Sequence, residues 1–169
     1  MKTLRTTLLG LILTTFNLSI LFSSCKKSST ADAGYYMEAN ANGTLVKYTG
    51  YTAAISTTVS GLYVMDIQGQ MSVSSSTDIL AATITDASPI TTKTYTDQTV
   101  NGTSQGVVSY YDHSGGQYSS ALATTPSVNI TITAITSTYV AGTFSGNTID
   151  VNSGNTISLT DGLFKVKKQ

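Results

Sequence analysis

From residue 35 onward the chain alternates apolar and polar residues with a period of two, and no stretch there carries the 3.6-residue spacing of a helix. Residues 35–41 and 44–49 flank Asn42-Gly43, the pair that best signals a tight hairpin. A strand over 51–58 follows. In 61–73, Tyr63, Met65, Ile67, Met71 and Val73 share one parity while Asp66, Gln68 and Gln70 share the other, which predicts one inward and one outward face. A polar turn at 74–78 leads to 79–85, with Leu80, Ala82 and Ile84 on a common face, ended by Asp86 to Pro89 because proline cannot donate to a ladder. Residues 91–96 read as a short edge strand and 97–106 as the longest loop. Strands over 106–111 and 117–123 flank the turn Asp112-His113-Ser114-Gly115-Gly116.

The clearest alternation sets Val128, Ile130, Ile132 and Ala134 against Asn129, Thr131 and Thr133. The run 139–145 places Val140, Gly142 and Phe144 on one side, so Ile130, Ile132, Val140 and Phe144 should share a core. Segments 148–151, 156–159 and 162–166 close the chain. Roughly ten strands at this spacing predict an all-β fold, an antiparallel β-sandwich of jelly-roll-like or Greek-key type.

The first 34 residues follow a different pattern. Lys2 and Arg5 precede an uncharged, largely apolar run that ends at Cys25, the one cysteine in the chain, after Ser23-Ser24. Thr14, Thr15, Asn17 and Ser19 dilute it below what a permanent span of about 20 apolar residues needs, so a removable export signal is the reading. The segment resembles a bacterial lipoprotein signal, with Phe22 in place of the usual aliphatic residue three positions before the cysteine. That resemblance implies cleavage before Cys25, acyl chains on Cys25 and attachment to a membrane, since more than one chain suffices for stable anchoring. The expected organisation is a signal peptide over 1–24, a lipidated Cys25 with a flexible tether over 25–34, and one β domain over 35–169.

Removing Lys2 and Arg5 leaves seven lysines against nine acids and no arginine. A mildly acidic body lacks the basic footprint of nucleic-acid binding. With Cys25 acylated no thiol remains for a disulfide, so packing and sheet hydrogen bonds must hold the domain.

The opening Tyr36-Met37-Glu38-Ala39-Asn40-Ala41-Asn42-Gly43, together with Ile130-Thr131-Ile132, Val140-Ala141-Gly142-Thr143-Phe144-Ser145 and the ending from Ile157 to Val166, resembles a group of small Bacteroidota lipoproteins whose all-β domain has no assigned function. These motifs are structural, so the resemblance implies fold and location. Such relatives often carry a tryptophan after the first hairpin, where this chain has Lys47-Tyr48. Surface-displayed relatives carry acids just after the cysteine; Lys26-Lys27 here imply the periplasmic face of the outer membrane.

Candidate chemistry is sparse. His113 is the single histidine, no Gly-x-Ser-x-Gly is present, and Asp112-His113-Ser114 are too close in sequence to form a nucleophile, base and orienter. The acids are scattered singly, without the pairing glycoside hydrolysis needs. Asp150-Val151-Asn152-Ser153-Gly154-Asn155 echoes a calcium loop but has Asn155 where the sharp turn wants glycine, and it reads as a solvated hairpin turn. No metal or cofactor is expected. Ten tyrosines offer apolar faces with polar tips. A four-residue turn over 113–116 would set Tyr111 opposite Tyr118, making these the ligand-binding aromatics to test, with a carbohydrate or an envelope protein as partner. The plainer alternative for that pair is a hairpin-stabilising contact. Lys165, Lys167 and Lys168 read as a frayed tail. The expectation is a non-enzymatic, lipid-anchored structural or binding module of the cell envelope. The alternative is an enzyme or accessory module acting on envelope or extracellular glycans, which would require carboxylates converging in a groove.

Overall fold

The computed structural model describes residues 34–71, 78–97, 104–125 and 127–169. Cys25, the signal and nearly all of the tether lie outside them, as do Val73, most of the turn at 74–78, and Asn101-Gly102.

The described chain is all-β, as the alternation predicts, with eleven strands: β1 (Tyr36–Ala41), β2 (Thr44–Tyr48), β3 (Tyr51–Val59), β4 (Leu62–Gln70), β5 (Ile79–Asp86), β6 (Thr94–Thr96), β7 (Gln105–Tyr111), β8 (Gln117–Ser119), β9 (Asn129–Ile135), β10 (Tyr139–Asp150) and β11 (Thr156–Lys168). They form one sheet in the order β2-β1-β11-β3-β4-β5-β7-β8-β10-β9-β6, and β11 also pairs with β10, which closes a ring of ladders. Two layers result, β3-β4-β5-β7 and β2-β1-β11-β10-β9-β6. Short β8 joins them on one side, and on the other a two-residue parallel contact does so, Lys167 and Lys168 beside Ala53 and Ala54. That contact is the exception to otherwise antiparallel pairing.

The hairpins follow from local chemistry. Asn42 and Gly43 have φ of 48° and 82°, and Ser60 and Gly61 have 51° and 82°. Two successive positive values are what a two-residue turn matched to strand twist requires. Between the layers, Met37, Ile67, Leu80, Ile84, Val108, Ile130, Val140 and Phe164 belong to one buried core. Ile130, Ile132, Val140 and Phe144 share it as expected, and Thr133 is exposed. The β1–β2 hairpin comes close to β4 because Gly69 has no side chain: a Cβ there would lie 2.7 Å from that of Met37 and 3.1 Å from that of Tyr48. Phe164 stands opposite Gly142 and Phe144 opposite Gly162, each ring filling the space over its partner glycine.

Several expectations are corrected. β10 and β11 are each continuous where the sequence suggested two shorter strands. The break expected between 156–159 and 162–166 is a bulge at Thr160-Asp161, since Phe144 pairs with Gly162 and Gly146 with Leu159. Asp161 takes a φ of 51° and accepts a hydrogen bond from Asn40 Nδ2 at 3.0 Å. The bulge changes parity, so Leu159 and then Phe164 and Val166 all point inward. A second register shift in β9 pairs Ala141 with Ala134 and Gly142 with Ile132. Ile135, not Ala134, therefore continues the inward face. β4 ends at Gln70, leaving Met71 exposed outside the core. The strand expected over 117–123 stops at Ser119 and becomes a turn of 3-10 helix, Ser120–Leu122, whose buried Ser120 Oγ accepts from Val108 N. The terminal lysines are not frayed: all three lie in β11. Asp66, Gln68 and Gln70 do lie opposite the core face, yet they too are buried.

Candidate functional site

The side chains singled out by sequence do not converge. Tyr118 faces Tyr110, with ring centroids 6.1 Å apart, while Tyr111 pairs with Gln117 and points to the opposite face. The turn is one residue longer than a four-residue loop because Asp112 belongs to it: Asp112 Oδ1 accepts from Ser114 N, Ser114 Oγ and Gly116 N at 2.9, 2.6 and 2.9 Å. Adding one residue moves the pairing by one and reverses the face. Tyr110 and Tyr118 thus form the hairpin pair, and Tyr111 sits in a row with Tyr51, Gln70 and Ile79. Burial, with Asp66 adding, pushes the Tyr111 phenol up to about 12.

The acids are individually engaged. Asp150 accepts from Ser153 N, Ser153 Oγ, Asn152 N and Gln117 N at 2.6 to 3.0 Å, and the Ser153 and Gln117 amides hold its carboxyl down to about 2. Its carboxylate ties a hairpin turn to β8, and among the described residues no group of three His, Cys, Asp or Glu side chains is placed to hold a metal. Burial would raise Asp86, but the Lys93 ammonium at 2.7 Å and the Ser88 amide outweigh it and lower its pKa. Asp97 accepts from Ser127 N and Val128 N, Glu38 pairs with Lys47 at 2.6 Å, and Asp66 accepts from Thr83 Oγ1. His113 lies on the surface, its ring 3.0 Å from Asp78. Among the described residues no two of these carboxylates share a hydrogen-bond partner.

Uncommitted polar groups occur instead in a cleft of about 180 Å³ at the end of the sandwich where β5 finishes. Ser56 and Thr57 of β3 and Tyr63, Val64 and Met65 of β4 form one wall. Pro89 and Ile90, from the loop after β5, Ile135 of β9 and Lys168 of β11 line the rest of the cleft. Two structural devices place these residues. The β11 bulge puts Lys168 on the inward series of Phe164 and Val166, and the β9 shift turns Ile135 toward Val140. Nearby, Asp86 and Lys93 neutralise one another. Lys47, Lys93 and Lys165 each lie over a tyrosine ring, Tyr36, Tyr95 and Tyr139, at 4.7 to 5.0 Å, and Lys167 is also engaged. Among the described residues, Lys168 is the lysine whose ammonium has no ion pair, hydrogen bond or ring contact.

Sequence reasoning missed this cleft. Its one advance signal was a lysine two positions beyond Val166 in an alternating run. Comparison with protein families, with curated proteins and with solved structures gives no match.

Proposed function

We propose that the protein is a lipid-anchored component of the cell envelope, held to the periplasmic face of the outer membrane through acyl chains on Cys25, and that its β domain binds rather than catalyses. The distribution of polar groups carries the binding half of this reading. The described carboxylates and the single imidazole are spent on turns, strand ties and ion pairs, so no acid–base pair stands ready over a groove. The accessible cleft, in contrast, is lined by apolar side chains and by polar groups without partners. A fold fixed by such ties suits a rigid carrier of a recognition surface.

The anchor is tested on the chain made in a bacterium that processes lipoproteins. Mass spectrometry should give a mature protein that begins at an acylated Cys25, and Cys25→Ser should leave it unprocessed or soluble. A mature chain that starts elsewhere and carries no acyl group overturns the anchor. Protease added to intact cells should spare the domain until the outer membrane is opened; digestion without opening places it on the surface.

A further inference from the structure

We propose that the cleft between the β3–β4 walls, Ile90 and Ile135 binds a small apolar monocarboxylate, with its carboxylate on the Lys168 ammonium and its hydrocarbon part against Tyr63, Met65 and Ile135. This rests on the reading of the domain as a binding module and names the chemistry it selects. Lys168 is half-buried and lies in the inward register of β11. It is the one charged side chain lining the cleft, and the nearest acid across the sheet from Tyr63, Asp86, is paired with Lys93. A lone ammonium at the edge of an apolar wall favours an anion, because a charge-assisted hydrogen bond there replaces partial hydration of the lysine. The Ser56 hydroxyl, on the Met65 face of the β3–β4 pair and free of other partners among the described residues, can donate to a second carboxylate oxygen.

Charge and size narrow the occupant further. One ammonium matches one negative charge, whereas phosphate and sulfate esters are usually gripped by several donors, arginine foremost, and residues 25–169 contain no arginine. A volume of about 180 Å³ lies below the roughly 300–1,000 Å³ of sites for larger ligands, and at about 30 Å³ per water-sized group it accepts on the order of six such groups. A six-carbon acid fits that limit with its carboxylate at the mouth.

The test uses the processed chain in lipid nanodiscs, with empty nanodiscs as blank, titrated with hexanoate, 1-hexanol and hexylamine by saturation-transfer NMR at pH 7.4. Hexanoate should saturate, bind at least about threefold more tightly than hexanol, and give intermolecular NOEs to the Ile90 and Ile135 methyls. Lys168→Gln should erase the preference for hexanoate over hexanol with an unchanged melting temperature, and Lys168→Arg should keep it. Equal binding of hexanoate and hexanol, an unaltered preference in Lys168→Gln, or no saturable hexanoate signal overturns the inference. Saturable binding of hexylamine alone would overturn the anion while leaving a binding module standing. An unacylated Cys25 would remove the anchor and leave a positive cleft result intact, since the cleft lies within residues 56–168.

Discussion

At the end of the sandwich where β5 begins, the β1–β2 hairpin drives Met37 and Tyr48 against Gly69, and the Asp112 and Asp150 turns bind their own backbone amides. At the end where β5 finishes, Asp86 is likewise tied to Lys93 and Ser88, but Ser56, Tyr63 and Lys168 line a cleft without side-chain partners among the described residues. The difference lies in what completes each end. A hairpin follows the first strand by a two-residue turn and folds back as a plug, whereas the other end is framed by a proline-containing loop and by the last residues of β9 and β11, which leave a gap. A hairpin plug closes one end, and partnerless side chains line a cleft at the other, so a recognition surface stays open on a tied fold.

Four measurements would break or sharpen that contrast. Tyr48→Ala should cost about 3–5 kcal/mol in denaturant melts, as expected for truncating a buried aromatic, while Tyr63→Ala at the cleft should cost under about 1 kcal/mol; similar losses at both would abolish the distinction between plugged and open ends. Gly69→Ala should follow at about 1–3 kcal/mol, because a methyl there strikes the hairpin, and a neutral result would show that the hairpin gives way.

The third measurement is pH dependence. Folding lowers the Asp150 carboxyl from its ordinary 3.8 to about 2, so its contribution is fully present above pH 4 and is lost as pH falls toward 2. Asp150→Asn should be less stable at neutral pH and flatter than wild type between pH 4 and 2; a wild-type slope in the variant would assign the acid sensitivity to other carboxylates. The smallest effect is expected for Thr133→Lys, an exposed residue at the β9 register shift, at well under about 1 kcal/mol in a thermal melt. A large loss would mean that this shift is held by the Thr133 hydroxyl, which donates to Ala141 O at 3.1 Å.

Much of the fold was legible because a strand's period of two writes burial directly into sequence. The faces of β5 and of β9 up to Ile132, and the Asn42-Gly43 hairpin, follow from residues next to one another. Errors arose where one residue changed the count. The break between 156–159 and 162–166 was a bulge at Asp161, Thr133 looked like one more outward residue and altered a register, and Asp112 lengthened a loop by one and turned Tyr118 toward Tyr110. Each is small locally, and each exchanges inside for outside on everything after it.

The sequence by itself determined the class of structure, the apolar content of the core and the Asn42-Gly43 turn, because these depend on periodicity and on backbone conformations that neighbouring residues impose. Which strands meet, and therefore where the cleft lies, only the tertiary structure decided. Ser56, Tyr63, Ile90, Ile135 and Lys168 come from four strands and a loop spread over more than a hundred residues. Their proximity rests on ring closure by β10 and β11 and on two register shifts, which are chosen by how the whole set of ladders packs, and no short pattern along the chain carries that information.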